Sequence, residues 1–213
     1  MDRFSFFFAF YGLILGLAVT ELLGGFAGAV RMRVLRRLEP QTALLALLTF
    51  IAICATWIDA WKTLRSISLD FAGLWAPVLL ATAYYLAAAV VFPRDVAEYE
   101  DLGRYYADRK RFVIAMLLIA ELLVTYTFWG VAAGMLARTP AVFWLYFLPY
   151  NLMIKSAFIA LMFVDRRRVN VALLATLIFL FLVPYWGTNW IAASISGSTG
   201  TRLDCACAPE CLQ

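Results

Sequence analysis

The stretch AVFWLYFLPYNLMIKSAFIALMF occupies residues 141–163 and is followed closely by an arginine run that begins at Arg166. It is apolar over a length that crosses a hydrocarbon core about 30 Å thick, because a helix rises about 1.5 Å per residue. One charged residue, Lys155, interrupts it eleven positions before Arg166. With that arginine at the membrane face, Lys155 would lie roughly 15 Å deep. The stretch therefore predicts a transmembrane helix with an ionisable group near the bilayer midplane.

Five other segments share this apolar character and length. The six predicted spans cover about residues 4–30, 41–61, 69–92, 112–136, 141–163 and 169–193. The composition agrees, since 64% of the 213 residues are hydrophobic and 15% are charged, against about half and a quarter in soluble domains. The mean hydropathy is +0.83. We expect an all-α integral membrane protein, with one six-helix transmembrane bundle over residues 1–193 and a polar, cysteine-containing tail over residues 194–213.

Basic residues divide unevenly between the two faces that six alternating spans define. One face collects twelve: Arg31, Arg33, Arg36, Arg37, Arg94, Arg104, Arg109, Lys110, Arg111, Arg166, Arg167 and Arg168. The other face has five: Arg3, Lys62, Arg65, Arg138 and Arg202. Cytoplasmic loops carry the excess of Lys and Arg, so both termini are predicted to lie outside the cytoplasm. All seven tryptophans fall in the outer part of their helices, as an interfacial aromatic belt would place them.

We therefore expect a multi-pass protein of a bacterial inner membrane, with the lipid bilayer as its main partner. The formal charge of +4 comes from basic loops and indicates orientation, so no nucleic-acid partner is expected. The one long connection, PRDVAEYEDLGRYYADRKR over residues 93–111, has apolar residues at helical spacing. It predicts a short amphipathic cytoplasmic helix between the third and fourth spans, serving either as a solvated cap or as a docking surface.

Two carboxylates occur at the same predicted depth as Lys155. Glu21 lies ten residues before Arg31, and Glu121 lies ten residues after Arg111. Charges in the hydrocarbon core are costly and usually functional, so the three residues form a candidate midplane site. The alternative is structural, with Glu121 and Lys155 as a fixed ion pair between two helices and Glu21 protonated.

Two further polar residues are candidates for the same pathway. Asn151 lies one helical turn before Lys155 and would be an accessory ligand. Asp59 lies near the outer end of its helix, where it either forms a surface pair with Lys62 or acts as an entry-site acid. Pro149 lies six residues before Lys155 in the same segment, and it predicts either a structural kink or a broken helix around the site.

The best functional hypothesis is a proton- or ion-coupled transporter or a channel-like protein. Two carboxylates and one amine carry a net charge of −1 when all are ionised, and a proton taken up by Glu21 or Glu121 would neutralise it. Lys155 would be the counter-ion or the substrate anchor. A third hypothesis is a chromophore or substrate bound to Lys155 as a Schiff base.

A competing hypothesis is a non-catalytic membrane subunit that assembles with a partner protein. Small residues four positions apart let helices approach closely, so they are candidate seams for a homo-oligomer or a membrane-protein partner. The residues concerned are Gly12, Gly16, Gly24, Gly28, Gly130 and Gly134. Gly24 and Gly28 lie on the Glu21 side of their helix, so that carboxylate is expected to face a tight helix contact.

Several chemistries are missing from the sequence. There is no histidine, which excludes histidine-ligated haem and the commonest zinc sites, and no phosphate-cradling glycine loop occurs. We expect neither enzymatic activity nor a cofactor. In the tail, Cys205, Cys207 and Cys211 predict one disulfide in an oxidising compartment, with a thiolate metal site as the alternative.

Overall fold

The computed structural model describes residues 3–31, 39–63, 71–93, 102–127 and 129–198. These residues are almost entirely helical, and none of them forms a strand. The helices are α1 (Arg3–Arg31), α2 (Pro40–Thr63), α3 (Phe71–Val91), α4 (Leu102–Thr127), α5 (Trp129–Arg138), α6 (Pro140–Val142), a π-helical segment (Phe143–Phe147), α7 (Leu148–Phe163) and α8 (Arg167–Ser198). The chain divides into two compact units, Met1–Phe181 and Leu182–Gln213.

Four of these helices are long and apolar enough to cross a membrane: Phe7–Arg31, Pro40–Ala60, Pro140–Phe163 and Arg167–Pro184. A fifth span exists if α4 and α5 are taken together, since the pair Gly103–Thr127 and Ala132–Arg138 passes the same test with a bend of 54°. The apolar part of α3, Trp75–Val91, is shorter. The prediction of a helical multi-pass membrane protein is confirmed, and the described residues supply four to five spans where the sequence predicted six.

Helix α3 lies at the centre of the packing, because α1 and α4 both pack extensively along it. Eight of its buried side chains are Ala76, Leu80, Ala81, Ala83, Tyr84, Ala87, Ala88 and Val91. Five of the eight are alanines, and such small side chains let neighbouring helix backbones come close. The described part of the chain shows no comparable packing of α1 on α4. These two helices therefore lie on different sides of α3.

Helix α4 begins at Leu102, ten residues earlier than the sequence predicted. The expectation of a separate amphipathic helix is wrong for residues 102–111, which are the first turns of α4. Tyr106 and Lys110 are 5% and 2% exposed, and they continue the buried face that Val113 and Leu117 form further along. Residues 102–111 and the apolar part of α4 share this buried face, and no proline occurs between Leu102 and Thr127 to break the helix. Residues 94–101 lie outside the described residues.

Two irregularities interrupt the helices near the predicted outer face. The span predicted over residues 112–136 is not one straight helix, since α4 ends at Thr127 and the chain turns into α5. Ahead of Pro149, the backbone N–H of Leu148 donates to the carbonyl of Phe143, which is the π-helical pattern. Pro149 has no N–H to donate, so the local hydrogen-bond ladder is incomplete there. Pro184 lies inside α8 and does not end it.

The predicted glycine seams are mostly not used inside the chain. Among the described residues, a methyl group added at Gly16, Gly24, Gly28, Gly130 or Gly134 would meet no atom beyond its own stretch of helix within 4 Å, and one at Gly12 would meet the indole Nε1 of Trp57 at 3.4 Å. The close approach occurs instead at Gly25, where it would lie 2.7 Å from Cβ of Phe92. The face of α1 beside Gly24 is therefore open, contrary to the expected tight contact near Glu21.

Candidate functional site

Three helices bring together the ionisable groups of the candidate site. Helix α4 packs on α7 and on α2, and each of the three carries one charged residue at the place of contact: Glu121, Lys155 and Asp59. All three side chains are half-buried. The Glu121 carboxylate lies close enough to both Lys155 and Asp59 for direct charge–charge interaction. The structure therefore places Glu121 within electrostatic range of one amine, Lys155, and one carboxylate, Asp59, whereas the sequence-based hypothesis grouped Glu121 and Lys155 with Glu21.

Lys155 is held by an amide. Its ammonium donates a hydrogen bond to Oδ1 of Asn151 at 3.2 Å, and Nδ2 of Asn151 donates to the carbonyl of Phe147 at 3.0 Å. The salt bridges between described side chains do not include Lys155 with Glu121. The fixed ion pair that the structural alternative requires is therefore not formed. The two charges interact electrostatically without a direct contact.

Tyr150 also belongs to this group, and the sequence did not indicate it. Its hydroxyl donates to the carbonyl of Leu180 on α8 at 2.6 Å, and it lies within electrostatic range of Glu121 and Asp59. This contact joins α7 to α8 beside the charged residues. In the sequence Tyr150 is one of many aromatic residues in an apolar segment, and only its position between Pro149 and Asn151 distinguishes it.

The threonines near these residues bond mainly to their own helices. The hydroxyls of Thr20, Thr125 and Thr127 donate to backbone carbonyls one turn back, at 2.8–2.9 Å. Thr56 is bonded to the hydroxyl of Tyr84 at 2.9 Å. These four hydroxyls are engaged within the protein. A ligand here would therefore meet the charges of Glu121 and Lys155 and not these threonine hydroxyls.

Glu21 is not brought to this site. It is a half-buried residue of α1, and α1 packs along α3 on a different side from α4. The residues that follow it, including Leu22 and Phe26, line a cleft of about 210 Å³ between α1 and α2. The cleft has apolar walls, so its lining offers no hydrogen bonds to a polar ligand. Glu21 and Glu121 have the same predicted depth in the membrane, but the described parts of their helices, α1 and α4, do not pack closely on each other.

The part of the chain that the structure describes contains no group of three His, Cys, Asp or Glu side chains able to hold a metal ion. The tail cysteines Cys205, Cys207 and Cys211 lie outside the described residues, as does the side chain of Lys62. The grouped residues can neutralise their net charge of −1 by binding a proton, or a small cation through carboxylate, amide and hydroxyl oxygens.

A second polar region, at the arginine-rich end, was also missed in the sequence. The ammonium of the buried Lys110 contacts Oδ1 of Asp165 at 2.8 Å and also donates to the carbonyl of Val164 at the end of α7. The hydrogen bond from Lys110, together with the charges of Lys110 and Arg111, holds the pKa of the exposed Asp165 carboxyl below its usual range. The charge-rich stretch around Lys110 suggested a solvated surface and concealed this buried contact.

No protein-family model, no curated protein and no solved structure matches this chain. The arguments for its function therefore come from the fold and from these two polar regions.

Proposed function

We propose that this protein is a small membrane transporter or channel-like protein whose proton- or cation-binding site consists of Glu121, Asp59 and Lys155. The observation that carries the proposal is the separation of the charges. Lys155 is bonded to Asn151, while Glu121 interacts electrostatically with Lys155 and with Asp59. A purely structural clamp would place the ammonium directly on a carboxylate, as Lys110 does with Asp165. This role needs no covalent chemistry, so we propose no enzymatic activity.

The irregular backbone beside the site supports a transport role. Non-helical backbone at membrane depth is tolerated where it lines a cavity or is buried in protein, and broken helices surround the binding sites of many transporters. Here the π-helical segment Phe143–Phe147 and Pro149 come immediately before Tyr150 and Asn151. The bend between α4 and α5 follows Glu121 by about two helical turns.

The proposed topology keeps six spans, with α3 crossing as the third and α4–α5 as a bent fourth. Both termini then lie outside the cytoplasm, and the protein is placed in a bacterial inner membrane. The distribution of twelve against five basic residues supports this orientation. The tryptophan side chains that the structure describes agree with an outer belt, since Trp57, Trp75, Trp129 and Trp144 are between 42% and 67% exposed.

Proton flux into proteoliposomes, followed with an internal pH-sensitive dye, tests the proposal. We expect the wild-type protein to carry a flux above empty liposomes, and we expect Glu121→Gln and Lys155→Met to abolish it. Asp59→Asn is expected to reduce it, because the second carboxylate then no longer contributes charge to the site. Unchanged flux in all three folded variants would refute the proposal. Replacing the proton gradient with a sodium or potassium gradient extends the test to a cation.

The competing function is a membrane subunit that binds a partner through the open face of α1. Gly16, Gly24 and Gly28 have room above their Cα atoms, and a partner helix could approach there as closely as Phe92 approaches Gly25. This function predicts stable co-purification of a second membrane protein, lost on Gly24→Leu. It also predicts that flux stays at the level of empty liposomes in wild type and variants alike.

A further inference from the structure

Three buried polar atoms at the arginine-rich end have no hydrogen-bond partner among the described residues. They are Oγ1 of Thr42, the hydroxyl of Tyr106 and Oδ1 of Asn170. Their residues are 2%, 5% and 1% exposed and belong to α2, α4 and α8. Buried polar atoms in native proteins are almost always bonded to protein or to ordered water. Of these helices, α2 packs on α4, and the start of α8 is linked to the start of α2 by an ion pair, so the three atoms call for a shared explanation.

The ion pair between Glu39 and Arg167 lies close to all three residues in the chain or by electrostatic interaction. Oε1 of Glu39 lies 3.7 Å from Nη1 of Arg167, which joins the start of α2 to the start of α8. The backbone N–H of Thr42 donates to the carbonyl of Glu39, and the Glu39 carboxylate lies within electrostatic range of the Tyr106 hydroxyl. Asn170 lies three residues beyond Arg167, on the buried face of α8. Thr42 and Asn170 are thus each about one helical turn from a member of the Glu39–Arg167 pair, and Tyr106 interacts electrostatically with Glu39.

The chemistry of the three atoms selects the ligand. A hydroxyl can donate and accept, and an amide oxygen accepts, so together they match water, which does both. Buried waters bind where two to four otherwise unsatisfied polar groups converge. The nearest charges are already paired, Glu39 with Arg167 and Lys110 with Asp165. A charged ligand is therefore less well matched to this site than a neutral one.

We propose that Thr42, Tyr106 and Asn170 form an internal water-binding site that opens to the aqueous phase past the Glu39–Arg167 pair. The Glu39 and Arg167 side chains are 28% and 61% exposed, so they form a polar route between the buried atoms and bulk water. The site lies about fifteen residues of α4 away from Glu121 and is independent of the proposed transport function. It would keep the arginine-rich end of the bundle hydrated.

Radiolytic hydroxyl-radical labelling in proteoliposomes, read by mass spectrometry, tests this proposal because bound water generates the radical next to the side chain it oxidises. Tyr84 is the matched control, since it is 0% exposed and its hydroxyl is bonded to Thr56 at 2.9 Å. We expect Tyr106 to be labelled several-fold faster than Tyr84. Equal labelling of the two tyrosines would overturn the proposal.

A second measurement links the label to the site itself. Asn170→Leu removes one polar partner at similar volume and is expected to bring the labelling of Tyr106 down towards that of Tyr84. Thr42→Val is the replacement variant if Asn170→Leu does not fold, and it has the same expected result. Labelling of Tyr106 that stays at the wild-type rate in the folded variant would mean that the water is not held by these residues, and the proposal would fail.

Discussion

Lys155 and Lys110 lie at two levels of the same helical bundle and are held in different ways. Lys110, at the arginine-rich end, contacts the Asp165 carboxylate at 2.8 Å and donates to the Val164 carbonyl. Lys155, on α7, donates to Asn151 at 3.2 Å and interacts with Glu121 without contact. The first arrangement fixes the turn between α7 and α8 on α4. The second leaves Lys155 and Glu121 without direct contact, so direct pairing distinguishes the structural lysine, Lys110, from the candidate functional one.

Removal of each lysine charge should have unequal effects on stability. Lys155→Met removes the positive charge that interacts with the half-buried Glu121, and we expect a loss of about 3 kcal/mol in the free energy of unfolding at neutral pH. Lys110→Met leaves Asp165 in contact with water, because that side chain is 75% exposed. The expected loss for Lys110→Met is therefore smaller, about 1 kcal/mol. Reversible unfolding in mixed micelles measures both values.

The double variant Lys155→Met/Glu121→Gln provides the control for this comparison. With one carboxylate neutralised, the repulsion from Asp59 disappears, and most of the stability lost in Lys155→Met should return. If the double variant is as unstable as Lys155→Met alone, the loss comes from packing and the two charges are not coupled. Equal losses for Lys155→Met and Lys110→Met would also remove the distinction between the two regions.

The lengths and expected depths of the helices followed from the sequence more directly than the identity of the helices that pack against each other. The apolar lengths gave spans at 41–61 and 141–163, against Pro40–Ala60 and Pro140–Phe163 in the structure. Spacing from arginines gives only one coordinate, the depth along the membrane normal. It could not show that α3 lies between Glu21 and Glu121, or that Asp59 faces Glu121. Those relations depend on lateral packing, which the alanine-rich face of α3 determines.

The arginine-rich end was harder to predict, because its buried residues occur in a charge-rich stretch. Tyr106 and Lys110 stand among exposed Arg104, Asp108 and Arg109, and hydropathy averages all of them together. Only the spacing of four between Tyr106 and Lys110, continued by Val113 and Leu117, would have revealed the buried face. For the candidate site, the sequence named Glu121, Lys155, Asn151 and Asp59, and it could not indicate which of them interact. Tyr150 carried no distinguishing signal.

The close packing at the arginine-rich end makes a second prediction. In Gly25→Ala the new methyl group would lie 2.7 Å from Cβ of Phe92, an atom fixed to the backbone of the chain just beyond α3. The helices must then move apart, and we expect a loss of about 2 kcal/mol in the free energy of unfolding. Gly24→Ala is the matched control, because its methyl group would meet nothing within 4 Å. That variant should be neutral or gain up to about 1 kcal/mol from helix propensity.

Equal effects of the two alanine variants would mean that α1 and the end of α3 do not pack as closely as described. A loss of flux in Gly25→Ala at full stability would instead connect the arginine-rich end to transport. The account expects neither result, since it assigns transport to the level of Glu121 and structural packing to the level of Gly25.

The smallest expected effect concerns Asp165, because its side chain is exposed and its ion pair is screened by water. The pKa of Asp165 is lowered in the folded protein by Lys110. Its contribution to stability is therefore present above the unfolded-state value, about 3.9, and is lost as the pH falls through the lower folded-state value. Asp165→Asn should lower the melting temperature slightly at pH 7 and should equal the wild type once Asp165 is protonated. A difference that is the same at both pH values would exclude the ion pair as its cause.

The most direct test of the account is whether Glu121 shares its site with Asp59 or with Glu21. In a background without the four native cysteines, the pairs Asp59→Cys/Glu121→Cys and Glu21→Cys/Glu121→Cys would be treated in membranes with a short bifunctional thiol reagent. The account predicts rapid cross-linking of the first pair, which joins α2 to α4, and none above single-cysteine controls for the second. Cross-linking of the Glu21→Cys/Glu121→Cys pair, with none for the other, would contradict the account.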